Sequence, residues 1–213
     1  MRPVLTWKST AADPTPISEG AIGKVLSLSS RRNIPAAWTP EILNKIGPIV
    51  GDAIHDTDIM LWLTGDRIVS AYAQTTDMRG LKNPDIGQTM YRFASGATAT
   101  LETVWCMPEH TPFDIDERMT VIGTEGLIHI QDTFPNLGIV TKNRGIHSPD
   151  TTYWPEFDGV RGGALREEFL NFADCALRGV QPTVSTPVDA MRALQATLAA
   201  EESARTGQVV KIQ

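Results

Sequence analysis

The sequence predicts an α+β fold: an open, mixed but mainly antiparallel β-sheet with helices on one face. Three observations lead there. Closely spaced strand-like runs fill the middle of the chain, two helical runs close it, and no repeated strand–helix–strand unit interrupts them. The length of 213 residues is enough for one sizeable core, and 41% hydrophobic with 21% charged residues is a globular composition.

The elements follow in order. Residues 1–17 read as an irregular arm, because Pro3, Pro14 and Pro16 fall among Ser, Thr and Asp. Residues 18–213 are expected to fold as one domain. Lys24–Ser30 alternates, with Leu26 and Leu28 on one face and Ser27 and Ser29 on the other, so it reads as a strand. Arg31–Pro40 reads as a turn-rich connection. Pro48–Leu63 predicts a helix: Pro48 suits its first turn, Gly65 stops it, and Val50, Ile54, Thr57 and Leu61 repeat at helical spacing. Ala53 and Met60 widen that face, while Asp56 points away and is expected in solvent. Strands are predicted at Arg67–Thr76, Ile86–Ala94, Ala97–Cys106, Arg118–Gly123, Leu127–Asp132 and Gly138–Thr141, with hairpin signals at Ser95-Gly96 and Glu125-Gly126. Thr98, Thr100, Thr103 and Thr120 suggest a sheet face that the monomer leaves open. Gly163–Leu177 predicts a helix with a narrow stripe of Leu165, Phe169, Phe172 and Ala176. Ser185-Thr186-Pro187 caps the last helix, whose core face is expected at Val188, Met191, Leu194 and Leu198. Gly207 ends it, and Val209–Ile212 adds a short strand.

Charge and motifs exclude several functions. A net charge of −6 without a basic patch argues against a nucleic-acid partner. No apolar run is long enough to span a membrane, and the first residues lack a signal-peptide pattern, so a cytoplasmic location is expected. Cys106 and Cys175 read as two reduced thiols, and the histidines lack zinc-site spacing, so no metal is expected. Neither GxGxxG nor GxxxxGK[ST] occurs, so no phosphate-cradling loop is present.

The densest group of ionisable residues lies between Gly47 and Trp62. On a regular helix Gly51, His55, Asp58 and Trp62 share one shoulder of the apolar face, and Asp52 lies one turn before His55. A carboxylate beside an imidazole fixes its tautomer and lets it pass a proton, which makes His55 and Asp52 the candidate catalytic pair. The plainer alternative is a surface histidine near a helix start where acids are favoured. His129 faces opposite to Ile128 and Ile130, towards solvent, and His110 and His147 fall in loops. Arg31 and Arg32 read as a strand-end pair that either clamps a hydroxylated or anionic ligand or is simply solvated. Trp38 and the Tyr153-Trp154 pair either stack on a sugar-like ring or pack on the core. Arg32, Trp38 and Trp154 are thus the candidate substrate contacts. Gly162-Gly163 reads as a flexible turn or an anion site at a helix start.

Several segments together resemble the C-terminal domain of the Gfo/Idh/MocA oxidoreductases. Glu19-Gly20-Ala21-Ile22-Gly23-Lys24-Val25 is similar to that family's lead into its first strand. The run from Gly47 to Gly65, with Ile54-His55-Asp56-Thr57-Asp58 and Trp62-Leu63-Thr64-Gly65, resembles its histidine-bearing helix. Gly123-Thr124-Glu125-Gly126 resembles its hairpin, and Pro182–Ile212, with Ser203-Ala204-Arg205-Thr206-Gly207, its closing helix and strand. The resemblance covers about residues 18–213. It implies a domain that supplies substrate contacts and builds an oligomer, here a homo-oligomer, through its sheet face. It implies NAD or NADP bound by a separate N-terminal Rossmann domain, a sugar or polyol substrate, and a Lys–Asp–His group that handles the hydroxyl proton. His55 matches the family histidine; the family aspartate position is Gly51 here, with Asp52 adjacent; the lysine has no counterpart.

The expected function is therefore the substrate-binding and oligomerisation half of an NAD(P)-dependent sugar or polyol oxidoreductase, not catalytically complete and not binding a dinucleotide tightly alone. The alternatives are a non-enzymatic ligand-binding or assembly module that uses the same sheet and a cofactor-independent isomerase or lyase built on His55 and Asp52.

Overall fold

The computed structural model describes residues 20–111, 113, 115–131, 138–143, 145–147, 155–182 and 185–213. The expected arm, Tyr153 and Trp154 lie outside the described residues.

The chain runs through β1 (Val25–Pro35), a 3-10 turn at Ala36–Trp38 and the short helix α1 (Pro40–Leu43). A π-turn (Ile49–Ala53) leads directly into α2 (Ile54–Thr64). Five strands follow: β2 (Ile68–Thr76), β3 (Ile86–Phe93), β4 (Thr98–Met107), β5 (Asp116–Gly123) and β6 (Leu127–Gln131). The small pairs β7 (Ile139–Thr141) with β8 (Gly145–His147), and β9 (Glu156–Phe157) with β10 (Val160–Arg161), stand apart from the main sheet. Helices α3 (Ala164–Arg178) and α4 (Pro187–Thr206) and the strand β11 (Val210–Lys211) close the chain.

The main sheet has seven strands in the order β11-β2-β3-β4-β1-β5-β6. All neighbours are antiparallel except β1 and β4, so the sheet is open and mixed as the sequence predicts. Strand β1 runs on to Pro35, past the expected turn at Arg31, because Arg31, Arg32 and Asn33 pair with β4 and β5 on both sides.

Cross-strand rows show what each face carries. On the covered face Tyr91, Ala99, Leu28, Val121 and Ile128 form one row, and Thr89, Leu101, Ser30, Met119 and Ile130 the next. Helices α2 and α4 pack over this side and complete the core with Ile59, Met60, Leu63, Ala196 and Ala200. On the open face Met90, Thr100, Ser29, Thr120 and His129 form one row, and Gln88, Glu102, Arg31 and Arg118 another. His129 is exposed there, as the alternation predicts, with Nδ1 2.9 Å from Thr120 Oγ1.

Helix α4 is capped as its sequence indicates. Thr186 Oγ1 accepts from Asp189 N at 3.2 Å, Asp189 Oδ2 accepts from Thr186 N at 2.9 Å, and Pro187 follows the cap. Its orientation is the reverse of the expected one. Ala193, Ala196, Thr197, Ala200 and Ser203 are buried, while Val188, Met191, Leu194 and Leu198 are exposed. Small residues let the helix lie close on β2, where Ser203 Oγ accepts from Ala73 N at 3.0 Å and donates to Gln208 O at 2.6 Å. The stripe on α3 is likewise turned outward, with Phe169 and Phe172 exposed.

Candidate functional site

The site is built on α2 and the turn before it. Two close approaches seat that turn on the sheet. A Cβ on Gly51 would lie 2.5 Å from Cη2 and 2.8 Å from Cζ2 of Trp105, so the indole of β4 occupies the space of a side chain at 51. Ile49 presses in turn on Gly87 of β3, where a Cβ would lie 2.7 Å from Ile49 Cγ1. Helix α2 then runs on to its C-cap, Gly65, at φ 59°.

A π-turn changes the direction of each residue in it relative to a regular helix. The wheel that aims Asp52 at His55 assumes regular geometry. In the structure Asp52 turns towards the sheet, and its Oδ2 accepts a hydrogen bond from Trp105 Nε1 at 2.7 Å. Burial pushes the Asp52 carboxyl above its ordinary value; Arg32 and the indole N–H pull it back, and the neighbouring Asp56 adds to the rise. His55, half-buried, stands at the start of α2.

Asp56 is not in solvent. It is 1% exposed and forms an ion pair with Arg32, Nε to Oδ2 at 2.7 Å, while Ser30 Oγ donates to its other oxygen. Arg32 Nη2 also meets Glu117 Oε1 at 2.8 Å. Arg32 itself is 2% exposed, so the residue read as a strand-end ligand clamp lies under α2 and ties the helix to β1 and β5. Its neighbour Arg31 is the one on the open face, paired with Asp116 at 2.9 Å.

Trp38 is exposed at the end of its 3-10 turn. Trp154 lies outside the described residues, as does Tyr153. Gly163 is the N-cap of α3 at φ 83°, with no side-chain cap. A cleft of about 420 Å³ opens between the second half of α2 and the first turn of α4, lined by Asp58, Trp62, Arg67, Asp189 and Arg192 among others. Asp58 and Trp62, about one and two turns past His55, thus share a cleft as their helical spacing suggests. Trp105, Arg67, Asp189 and Arg192 are absent from the sequence reading of the site. Only Asp189 carried a local signal, as the third residue after a Thr-Pro cap.

The family model of the GFO/IDH/MocA C-terminal domain matches residues 16–129, more than half of the chain. The chain belongs to the Gfo/Idh/MocA family. It is 32% identical over 205 residues to the scyllo-inositol 2-dehydrogenase (NAD(+)) of Bacillus subtilis, covering 92% of this chain and 57% of that protein. The chain therefore spans little more than half of that relative's length. Among solved structures, the myo-inositol 2-dehydrogenase of Lactobacillus plantarum has the same fold with a TM-score of 0.73 at 22% identity, covering 94% of this chain and 60% of that one. GenD2 from gentamicin A biosynthesis, solved in complex with NAD, has a TM-score of 0.75 at 21% identity over 92% of this chain and 57% of that one. Among the described residues, no helix is long and apolar enough to cross a membrane.

Proposed function

We propose that this chain is the substrate-binding and oligomerisation half of an NAD-dependent polyol oxidoreductase acting on inositol-type cyclitols. The observation that carries this reading is the half-buried His55 at the start of a helix locked to the sheet by Arg32 and Asp56, in a chain similar in sequence to inositol dehydrogenases. Oxidation of a carbinol removes a hydride from carbon and a proton from oxygen. On this reading His55 would accept the hydroxyl proton and Asp52 would hold a second hydroxyl or bound water, while a dinucleotide held by another domain would supply the hydride acceptor.

The residues of this chain fit the substrate side of that reaction and not the dinucleotide. The sequence has no Gly-rich strand-to-helix turn to hold a pyrophosphate. The exposed apolar faces of α3 and α4 supply the surface on which a nucleotide-binding domain docks, in keeping with relatives nearly twice as long. The open sheet face supplies the homo-oligomer contact, with Leu26, Met90, Ile122 and Leu127 exposed around its polar rows.

The test is a titration of the chain with scyllo-inositol followed by NMR. Shifts centred on His55 and Asp58, lost in His55→Ala, are expected. Shifts elsewhere, or a ligand response unchanged by His55→Ala, would sink the reading. Tight NADH binding by this chain alone would contradict the assignment of the dinucleotide to another domain. Self-association without any cyclitol response would favour the assembly module.

A further inference from the structure

Trp105 stands near the end of β4 and is 2% exposed. Its backbone is clamped from several sides. The N–H donates to Asp85 O at 2.7 Å, and the carbonyl accepts from Arg79 Nη2 at 2.7 Å and from Thr39 Oγ1 at 3.0 Å. The ring belongs to a small core of its own with Ile34, Leu43, Ile46, Leu81 and Ile115. An indole buried this far must find an acceptor for its one N–H. That acceptor is Asp52 Oδ2, while the far edge of the same ring fills the side-chain space of Gly51. One rigid side chain thus acts on two consecutive residues of the turn that precedes His55.

We propose that Trp105 is a positioning residue of this site: its indole bars a side chain at 51, anchors Asp52 through Oδ2, and so fixes where the acid beside His55 stands. The role in ligand binding rests on the cyclitol reading above; the link between the indole and Asp52 does not. Without the anchor Asp52 has several rotamers in a half-buried place. With it, one oxygen is held on the indole, and the N–H favours the ionised form. The charged groups that bear on Asp52 are Arg32 from β1 and Asp56 from α2. Both are fixed in the ion-paired cluster beneath the helix, so Trp105 is the contact that a substitution can remove without breaking that cluster.

The experiment uses the full chain, ¹⁵N-labelled, with the Trp105 Nε1–H signal followed against pH without ligand. A titration step is expected that vanishes in Asp52→Asn. Trp105→Phe keeps most of the ring volume and removes the donor. It is expected to move the Asp52 carboxyl titration upward, read by ¹³C shift, and to move the pH profile of scyllo-inositol affinity the same way. Gly51→Ala is expected to displace the indole and reproduce the loss of the step. An indole signal that ignores pH and Asp52→Asn, or an Asp52 titration unmoved by Trp105→Phe, overturns the proposal. If wild type binds no scyllo-inositol, the cyclitol reading fails by itself, and the ligand-free indole titration still decides whether Trp105 holds Asp52. Should Gly51→Ala not fold, Trp105→Phe decides alone.

Discussion

The inner side of α2 and the outer sides of α3 and α4 invert the usual distribution of polarity. Under α2 the chain buries an arginine and two carboxylates, Asp56 and Glu117, each within 2.8 Å of the Arg32 guanidinium. On α3 and α4 it leaves Phe169, Phe172, Leu177, Met191 and Leu198 in solvent. Buried charge is tolerated where each ion has a partner, and large apolar side chains stay outside where something else is to cover them. The first region is complete within this chain. The second is not.

The largest expected effect comes from opening the complete region. Arg32→Met leaves Asp56 and Glu117 facing each other without their cation, which costs about 3–5 kcal/mol. Urea unfolding followed by tryptophan fluorescence measures it. Replacing Asp56 and Glu117 by Leu in the same chain is expected to restore most of the loss. A cost under about 1 kcal/mol for the single variant would mean that the cluster does not hold α2.

Next comes the contrast within α4. Ala196→Leu forces a large side chain into the face that lies on β2 and is expected to cost about 1–3 kcal/mol. Leu194→Ala on the opposite face is expected to stay within about 0.5 kcal/mol, because it removes few contacts. Equal effects from the two would erase the distinction between a covered and an uncovered face.

These two comparisons also mark what the sequence could reveal. Strand positions were legible because Leu28, Tyr91, Leu101 and Val121 alternate with polar neighbours, and alternation is a local signal. Caps and stops at Thr186, Gly65 and Gly207 were legible for the same reason. The burial of Arg32 and Asp56 was not, since they are 24 residues apart and each alone looks like a surface charge. The orientation of α4 was misread because a stripe of Val, Met and Leu outweighs one of Ala, Thr and Ser on any hydropathy scale. Only packing against β2 reveals that the small residues face in. His55 was singled out from its helix and from the family resemblance, and its role is the proposal made above. Trp105 was missed, because nothing local links it to Asp52, 53 residues earlier.

A smaller effect concerns pH. The folded state raises the Asp52 carboxyl above its ordinary value, so the native chain holds that proton where the unfolded chain has released it. The contribution of Asp52 to stability is then present in full below the ordinary carboxylate value and is lost as pH rises through the raised one. Asp52→Asn keeps an acceptor for the indole and removes the titration. Wild type is expected to lose stability relative to this variant over that window and to run parallel to it on either side. Parallel curves throughout would show that the carboxyl is as well solvated in the fold as out of it.

The smallest effect on stability is expected where the effect on association is largest. Met191→Glu with Leu198→Glu places two carboxylates on the outer stripe of α4. Those positions are about half exposed in the folded chain, so folding gains little from them, and the double variant is expected within about 0.5 kcal/mol of wild type in urea. An apolar stripe kept for a partner behaves otherwise in a mixture. A nucleotide-binding domain supplied separately, as the proposed function requires, is expected to bind wild type in sedimentation velocity and to ignore the double variant. Open-face substitutions such as Ile122→Glu are expected to leave that binding intact and to abolish self-association instead. If the α4 variant destabilised the isolated chain by several kcal/mol, the stripe would belong to this chain's own core, and the incompleteness inferred for the α3 and α4 surface would disappear with it.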